Sequence, residues 1–186
     1  MAAAAVALLA IVGAVTWVAV AGNDDGPDPR AAQVSVHGVA ALGDAAPDFS
    51  LTTFDGRAVR LSAYRGTPVV VNFWRSDCHP CRQEFPMFRR QLLAHHGEFA
   101  LIGVDVKDIT ADGRAFAKQQ HATWTLVEDP NNAVARAYGV RALPQTFFIR
   151  ADGTIAQRIY GQVTDEYFAR QLAQITTGTP PTRRGP

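Results

Sequence analysis

Cys78 and Cys81 are the only two cysteines of the chain, and they stand three residues apart. A pair at that spacing can exchange between dithiol and disulfide, with the thiolate as the nucleophile. In Trp74-Arg75-Ser76-Asp77-Cys78-His79-Pro80-Cys81 a buried-strand pattern gives way to a helical one. The backbone N–H groups at a helix N-terminus are unpaired and its dipole is positive, which favours a thiolate at Cys78. Cys78 is therefore the expected attacking sulfur. Cys81, one turn further in and shielded, is the expected resolving sulfur that releases a mixed disulfide. Pro80 suits the helix opening, where its missing N–H has no partner to lose. Asp77 works the other way, since a carboxylate beside Cys78 opposes negative charge on its sulfur; Arg75 or His79 can offset it. His79 either favours the thiolate when protonated or is an exposed loop histidine. Two other readings stay open. A disulfide clip over so short a loop would stabilise little. A metal site on Cys78, His79 and Cys81 suits zinc poorly, because adjacent Cys and His do not easily share a tetrahedral ion, though copper(I) needs fewer ligands. No metal and no cofactor is expected.

The elements that must position this pair follow from the hydrophobic pattern. Residues 68–74 form a near-continuous apolar run that suits a central strand buried on both faces. A helix follows the cysteines, with Phe85, Phe88 and Leu92 on one face and Pro86 expected to kink it. Residues 99–104 make the next buried strand, so the strand–helix–strand unit predicts two parallel strands. Before it, residues 49–52 and 58–61 flank Asp55-Gly56 as a hairpin. After it come a helix over 111–120, a short strand over 124–127, a short helix over 132–138 and a hairpin of 146–150 with 154–160. A last helix is capped by Thr164, with Val163 and Phe168 placed as a hydrophobic staple. The expected fold class is α/β: a central mixed sheet with helices on both faces, an N-terminal β-hairpin extension and a central helical insertion.

The ends read differently. Residues 2–21 carry Thr16 as their only polar side chain. A helix of about 20 residues spans about 30 Å, the thickness of a bilayer core. Residues 1–22 are expected to be a membrane anchor or, with Ala19-Val20-Ala21 as a small-x-small site, a secretion signal cleaved near Ala21; a buried helix is the remaining reading. Either of the first two places the domain outside the cytoplasm. Residues 23–44 are expected to be a flexible tether, 45–178 the folded domain and 179–186 a disordered tail. Hydrophobic residues at 47% and charged residues at 19% argue against a disordered or fibrous chain. A net charge of +1 gives no reason to expect nucleic acid as a partner.

The chain resembles the thioredoxin-like, membrane-anchored disulfide reductases of the TlpA/ResA and cytochrome c maturation type. The matching stretches are Ala46-Pro47-Asp48-Phe49-Ser50-Leu51, Val71-Asn72-Phe73-Trp74 running into Cys78-His79-Pro80-Cys81, and Arg82-Gln83-Glu84-Phe85-Pro86. They continue with Gly103-Val104-Asp105 and with Gly139-Val140-Arg141-Ala142-Leu143-Pro144-Gln145-Thr146-Phe147-Phe148-Ile149. The resemblance implies a thioredoxin-like fold and a redox-active Cys78–Cys81 disulfide. It implies a cis-proline at Pro144 opposite the cysteines, and a Leu143 backbone that pairs with bound peptide. Trp74, His79 and Pro80 would share in substrate binding. Glu84 matches a family acid near the pair and would relay a proton; a solvated surface glutamate is the alternative. Asn72 stands where ordinary thioredoxins carry a buried aspartate, which shifts proton handling towards Glu84. A thiol peroxidase shares the fold, but its Pro-x-x-x-Thr/Ser-x-x-Cys pattern is absent: Arg75 lies three before Cys78.

The expected function is an extracytoplasmic thiol–disulfide oxidoreductase that reduces client disulfides in cytochrome c maturation or copper-protein assembly. The alternatives are a disulfide donor to secreted proteins and a copper(I)-binding assembly module. Expected partners are client proteins with disulfides or thiols, a membrane electron-donor protein, and the membrane itself through the N-terminal segment. A monomer is expected.

Overall fold

The computed structural model describes residues 33–34 and 39–177. The expected anchor over 1–22 and tail over 179–186 lie outside the described residues. No helix among the described residues is long and apolar enough to cross a membrane.

Among the described residues, eight strands form one mixed sheet. Strand β4 (Val69–Trp74) is its centre, and all six of its residues are buried. It pairs in parallel with β5 (Ala100–Val106), from Val69↔Ala100 to Trp74↔Asp105. On its other side it pairs antiparallel with β7 (Gln145–Ile149), from Val69↔Ile149 to Phe73↔Gln145. Beyond β5 lie β6 (Thr125–Asp129), β2 (Phe49–Thr53) and β1 (Gln33–Val34), with β3 (Ala58–Arg60) on β2; β8 (Ile155–Tyr160) closes the other edge. The parallel β4–β5 pair is the strand–helix–strand unit that the apolar runs predict, its crossover made by α1 (His79–Ala94).

Side-chain alternation along β4 sends Val69, Val71 and Phe73 to one face and Val70, Asn72 and Trp74 to the other. The first face packs under α3 (Ala133–Ala137), whose Val134, Ala135 and Ala137 are buried, and under Tyr138. The second packs under α1, α2 (Thr110–Gln119) and α4 (Asp165–Thr176), through Phe85, Phe88, Phe116 and Phe168. Helices therefore cover both faces. Helix α1 continues through Pro86 without a break. Thr164 caps α4 by accepting the Tyr167 N–H at 3.3 Å, and Val163 and Phe168 are both buried, as the staple requires.

One boundary moves. Part of the expected 23–44 tether belongs to the fold: Gln33–Val34 pair with Ser50 and Phe49 as β1. The Ala40 N–H reaches Ala137 O at 3.2 Å, and Gly43 and Asp44 exchange backbone bonds with Ile155 at 2.8 and 2.9 Å. Composition hid this, because small and polar residues that cross a sheet edge satisfy backbone groups without presenting a hydrophobic pattern.

Candidate active site

The C-terminal end of β4 delivers the cysteines. After Trp74 the chain leaves the sheet through Arg75, Ser76 and Asp77, and Cys78 is the N-cap of α1 with an extended backbone. Its sulfur accepts the Cys81 N–H at 3.3 Å, so it takes the place a serine or aspartate oxygen takes at other helix starts. The two cysteines are joined as a disulfide, with Cα atoms 5.3 Å apart. Cys81 is fully buried on the aromatic face of the sheet, whereas Cys78 is half-buried and His79 exposed. Pro80 occupies the first turn, as its missing N–H allows.

The loop before Cys78 is tied down residue by residue. The Ser76 N–H donates to Asp108 at 2.7 Å, the Ser76 carbonyl accepts Arg82 Nη1 at 3.2 Å, and the Cys78 N–H donates to Arg75 O at 3.2 Å. Asp77 is exposed and paired with Arg75 through two contacts of 2.5 and 2.7 Å. Those hydrogen bonds hold its carboxyl below the usual aspartate range, so it is ionised beside Cys78 at neutral pH, its charge partly offset by the guanidinium.

Glu84, three residues after Cys81, is fully buried, which sets aside the solvated-surface alternative. Its carboxyl accepts the Val163 N–H at 2.8 Å and Asn72 Nδ2 at 3.2 Å, and Asn72 also donates to Thr146 Oγ1 at 3.0 Å. Burial nevertheless pushes its pKa up to about 8, because two donors do not replace the lost hydration of a charge. Asn72 and Thr146 are register partners across β4 and β7. The acid on α1, the amide on the central strand and the hydroxyl on its neighbour thus form one connected set.

The Leu143–Pro144 bond is cis. Pro144 directly precedes Gln145, the partner of Phe73, so it lies at the same end of the sheet as Trp74 and the cysteine loop. Leu143 is half-buried and packs, like Cys78, against the aromatic cluster. Trp74 is fully buried, its ring 5.0 Å from Phe85 and 5.4 Å from Phe116. It forms the floor under the site, where the sequence reading has it touch substrate. All the sequence-expected residues therefore converge on the C-terminal end of β4.

Two residues of this end escape the sequence reading. Asp105, the register partner of Trp74, is buried, and Asp108 holds the Ser76 N–H. The apolar run reads as a buried strand only over 99–104, one residue short of Asp105, and the strand in fact continues to Val106.

A family model described as AhpC/TSA matches residues 42–158. Over 136 residues the chain is 35% identical to the thiol-disulfide oxidoreductase ResA of Geobacillus thermodenitrificans, covering 73% of this chain and 78% of that one. The ResA of Bacillus subtilis is 31% identical over 137 residues, 73% and 76% of the two chains. Among solved structures, a thiol:disulfide interchange protein DsbE from Chlorobium tepidum superposes with a TM-score of 0.68 at 32% identity, covering 75% of this chain and 99% of that one. DsbF of MTB gives 0.65 at 25% identity, over 69% and 95%. The cysteine pair at the start of α1 and these likenesses agree, and the chain belongs to the AhpC/TSA family as a thioredoxin-like thiol–disulfide oxidoreductase of the ResA/DsbE type.

Proposed function

We propose that the protein is an extracytoplasmic reductant of client disulfides, in cytochrome c maturation or copper-protein assembly, held at the membrane by its N-terminal segment and recharged by a membrane electron donor. Cys78, the more exposed sulfur, attacks as thiolate: a Cys78–client bond forms, the client disulfide breaks, and one client sulfur leaves as thiolate. Cys81 then attacks Cys78, the mixed bond breaks, and the second client sulfur leaves. Two electrons pass to the client, and the 78–81 disulfide remains. Glu84 takes the Cys81 proton and returns it when the pair is reduced again; a carboxyl with a pKa of about 8 suits that exchange near neutral pH. The client strand lies beside Leu143 and Pro144, its backbone pairing with that of Leu143, while His79 and Pro80 border the docked sulfur.

The observation that carries the reductive direction is the acidic setting of the pair. Ionised Asp77 adjoins Cys78, and buried Glu84 stands one turn beyond Cys81. Strong oxidants owe their potential to a stabilised thiolate in the reduced form. Ionised Asp77 withholds that stabilisation from Cys78, and so favours the disulfide form and a reducing potential.

The reduction potential of the pair tests this. A value near about −270 mV or lower supports the reductant, and one near about −120 mV overturns it in favour of the disulfide donor. Trapping tests the division of labour: Cys81→Ser should accumulate mixed disulfides with clients, and equal or better trapping by Cys78→Ser would reverse the two roles.

A further inference from the structure

Asp105 is a buried acid to which the exchange scheme above gives no role. Only 2% of it is exposed, and neither carboxylate oxygen has a hydrogen-bond donor within reach. Its polar neighbour is another carboxyl, that of Asp108. Two ionised carboxylates cannot hydrogen-bond to one another; one proton between them makes the contact favourable. Asp108 is already committed as an acceptor, from the Ser76 N–H at 2.7 Å through Oδ2 and from the Ile109 N–H at 2.8 Å through Oδ1. The proton therefore belongs to Asp105.

The rest of its surroundings agree. Glu128 is its register partner on β6, and Arg75 approaches from the loop after β4. Helix α2 lies directly over it: a Cβ built at Gly113 would overlap Asp105 Oδ2 and stand 3.2 Å from the Phe54 ring of the β2–β3 turn. Burial, then Asp108, then Glu128 push its pKa up to about 9, against the weaker pull of Arg75.

We propose that Asp105 is a positioning residue for thiol exchange: as a neutral acid it donates a hydrogen bond to the Asp108 carboxylate, which in turn holds the Ser76 N–H and so the loop that presents Cys78. The proposal takes Cys78 as the attacking sulfur and holds for either direction of electron flow. When Asp105 loses its proton, two adjacent carboxylates repel. The Ser76 anchor loosens, and a buried charge is added to that of Asp77 at the end of the sheet that carries Cys78. Exchange then weakens at alkaline pH, where a free thiol would only become more reactive.

The test uses the full reduced chain, with iodoacetamide alkylation of Cys78 followed from pH 6 to 10 and carbon-13 spectra of the aspartate carboxyls. In the wild type the Asp105 carboxyl should titrate near pH 9, and alkylation above that pH should fall roughly threefold below a one-proton curve. Asp105→Asn keeps a donor and cannot ionise. It should match the wild type at pH 7 and follow the one-proton curve throughout. Asp105→Val, with no donor, should alter the rate at pH 7 by about three- to tenfold. An Asp105 carboxyl titrating near about 4, the ordinary aspartate value, would overturn the proposal. So would an Asp105→Asn profile that superimposes on the wild type at every pH. The carboxyl titration does not depend on which sulfur attacks, so its failure is separable from a failure of the Cys78 assignment.

Discussion

Two buried acids flank the cysteine pair on one face of the sheet, and they are built in opposite ways. Glu84 comes from α1 and is met by donors: the Val163 N–H and the Asn72 amide, itself bonded to Thr146. Asp105 comes from β5 and is met by acceptors and by the backbone of α2 at Gly113, with Asp108 and Glu128 as its acidic neighbours. Donors lower the cost of ionising Glu84, so its proton can leave and return near neutral pH. Acceptors raise that cost at Asp105, so its proton stays. Burial alone does not make an acid a proton relay; the partners decide whether it exchanges its proton or keeps it.

The largest effect separating the two should be on stability against pH. Both acids hold a proton in the folded state that the unfolded chain gives up near the ordinary carboxyl range. The unfolded state therefore binds fewer protons over that window, and stability falls as pH rises through it. For Glu84 the window runs from about 4.5 to about 8, and for Asp105 from about 3.8 to about 9. The loss for each is on the order of a few kcal/mol, because every pH step of one across such a window is worth about 1.4 kcal/mol. Urea midpoints from pH 4 to 9 check it. Glu84→Gln should roughly halve the slope up to about pH 8, and Asp105→Asn should remove the other half together with the slope between 8 and 9. A midpoint that does not fall between pH 5 and 8 would show that both acids are ionised in the folded protein.

The second effect is kinetic, and it sets a relay against an anchor. Glu84→Gln removes the acid proposed to take the Cys81 proton and should slow resolution of a mixed disulfide by about 100-fold at pH 7, the lower end of what a positioned acid–base group supplies. Asp105→Asn should leave that step within about threefold. Stopped-flow turnover of a glutathione mixed disulfide measures both. Equal losses in the two variants would erase the functional difference between the acids.

The sequence exposes these two regions unequally. Glu84 is legible because it sits three residues after Cys81 on the helix that the cysteines begin, and a resemblance assigns that position to an acid. Its partners are less so, since Val163 acts through its backbone N–H and Asn72 and Thr146 meet only through the β4–β7 register. The hairpins, the parallel pair and the α4 cap follow from local signals: Asp-Gly turns, apolar runs and Thr164 before Asp165-Glu166. Asp105 is not legible as a site. The buried strand reads as 99–104, so an aspartate just after it looks like the edge of the run until the strand is seen to continue to Val106 and α2 is laid over it. The packing of β1 and residues 39–44 escapes for a related reason, because backbone pairing leaves little trace in composition.

The smallest effect tests the cover over Asp105. Gly113 lies inside α2, where replacing glycine by alanine ordinarily gains up to about 1 kcal/mol of helix stability. Here the added methyl would overlap Asp105 Oδ2 and stand 3.2 Å from its Cγ and 3.2 Å from the Phe54 ring. A short, buried carboxyl has little room to swing away, and overpacking of this kind costs about 1–3 kcal/mol. Gly113→Ala should therefore destabilise by about 1 kcal/mol in urea unfolding, the difference between that cost and the helix gain. In an Asp105→Ala background the obstruction is gone, and the same substitution should become neutral or stabilising. The coupling between the two positions is then at least about 1 kcal/mol in a double-mutant cycle. The region around Glu84 should not respond, so the pH window assigned to Glu84 should stay in place in Gly113→Ala. Strictly additive changes at 105 and 113 would mean that α2 does not confine Asp105, and the contrast between a donor-lined acid and a sealed one would lose its structural basis.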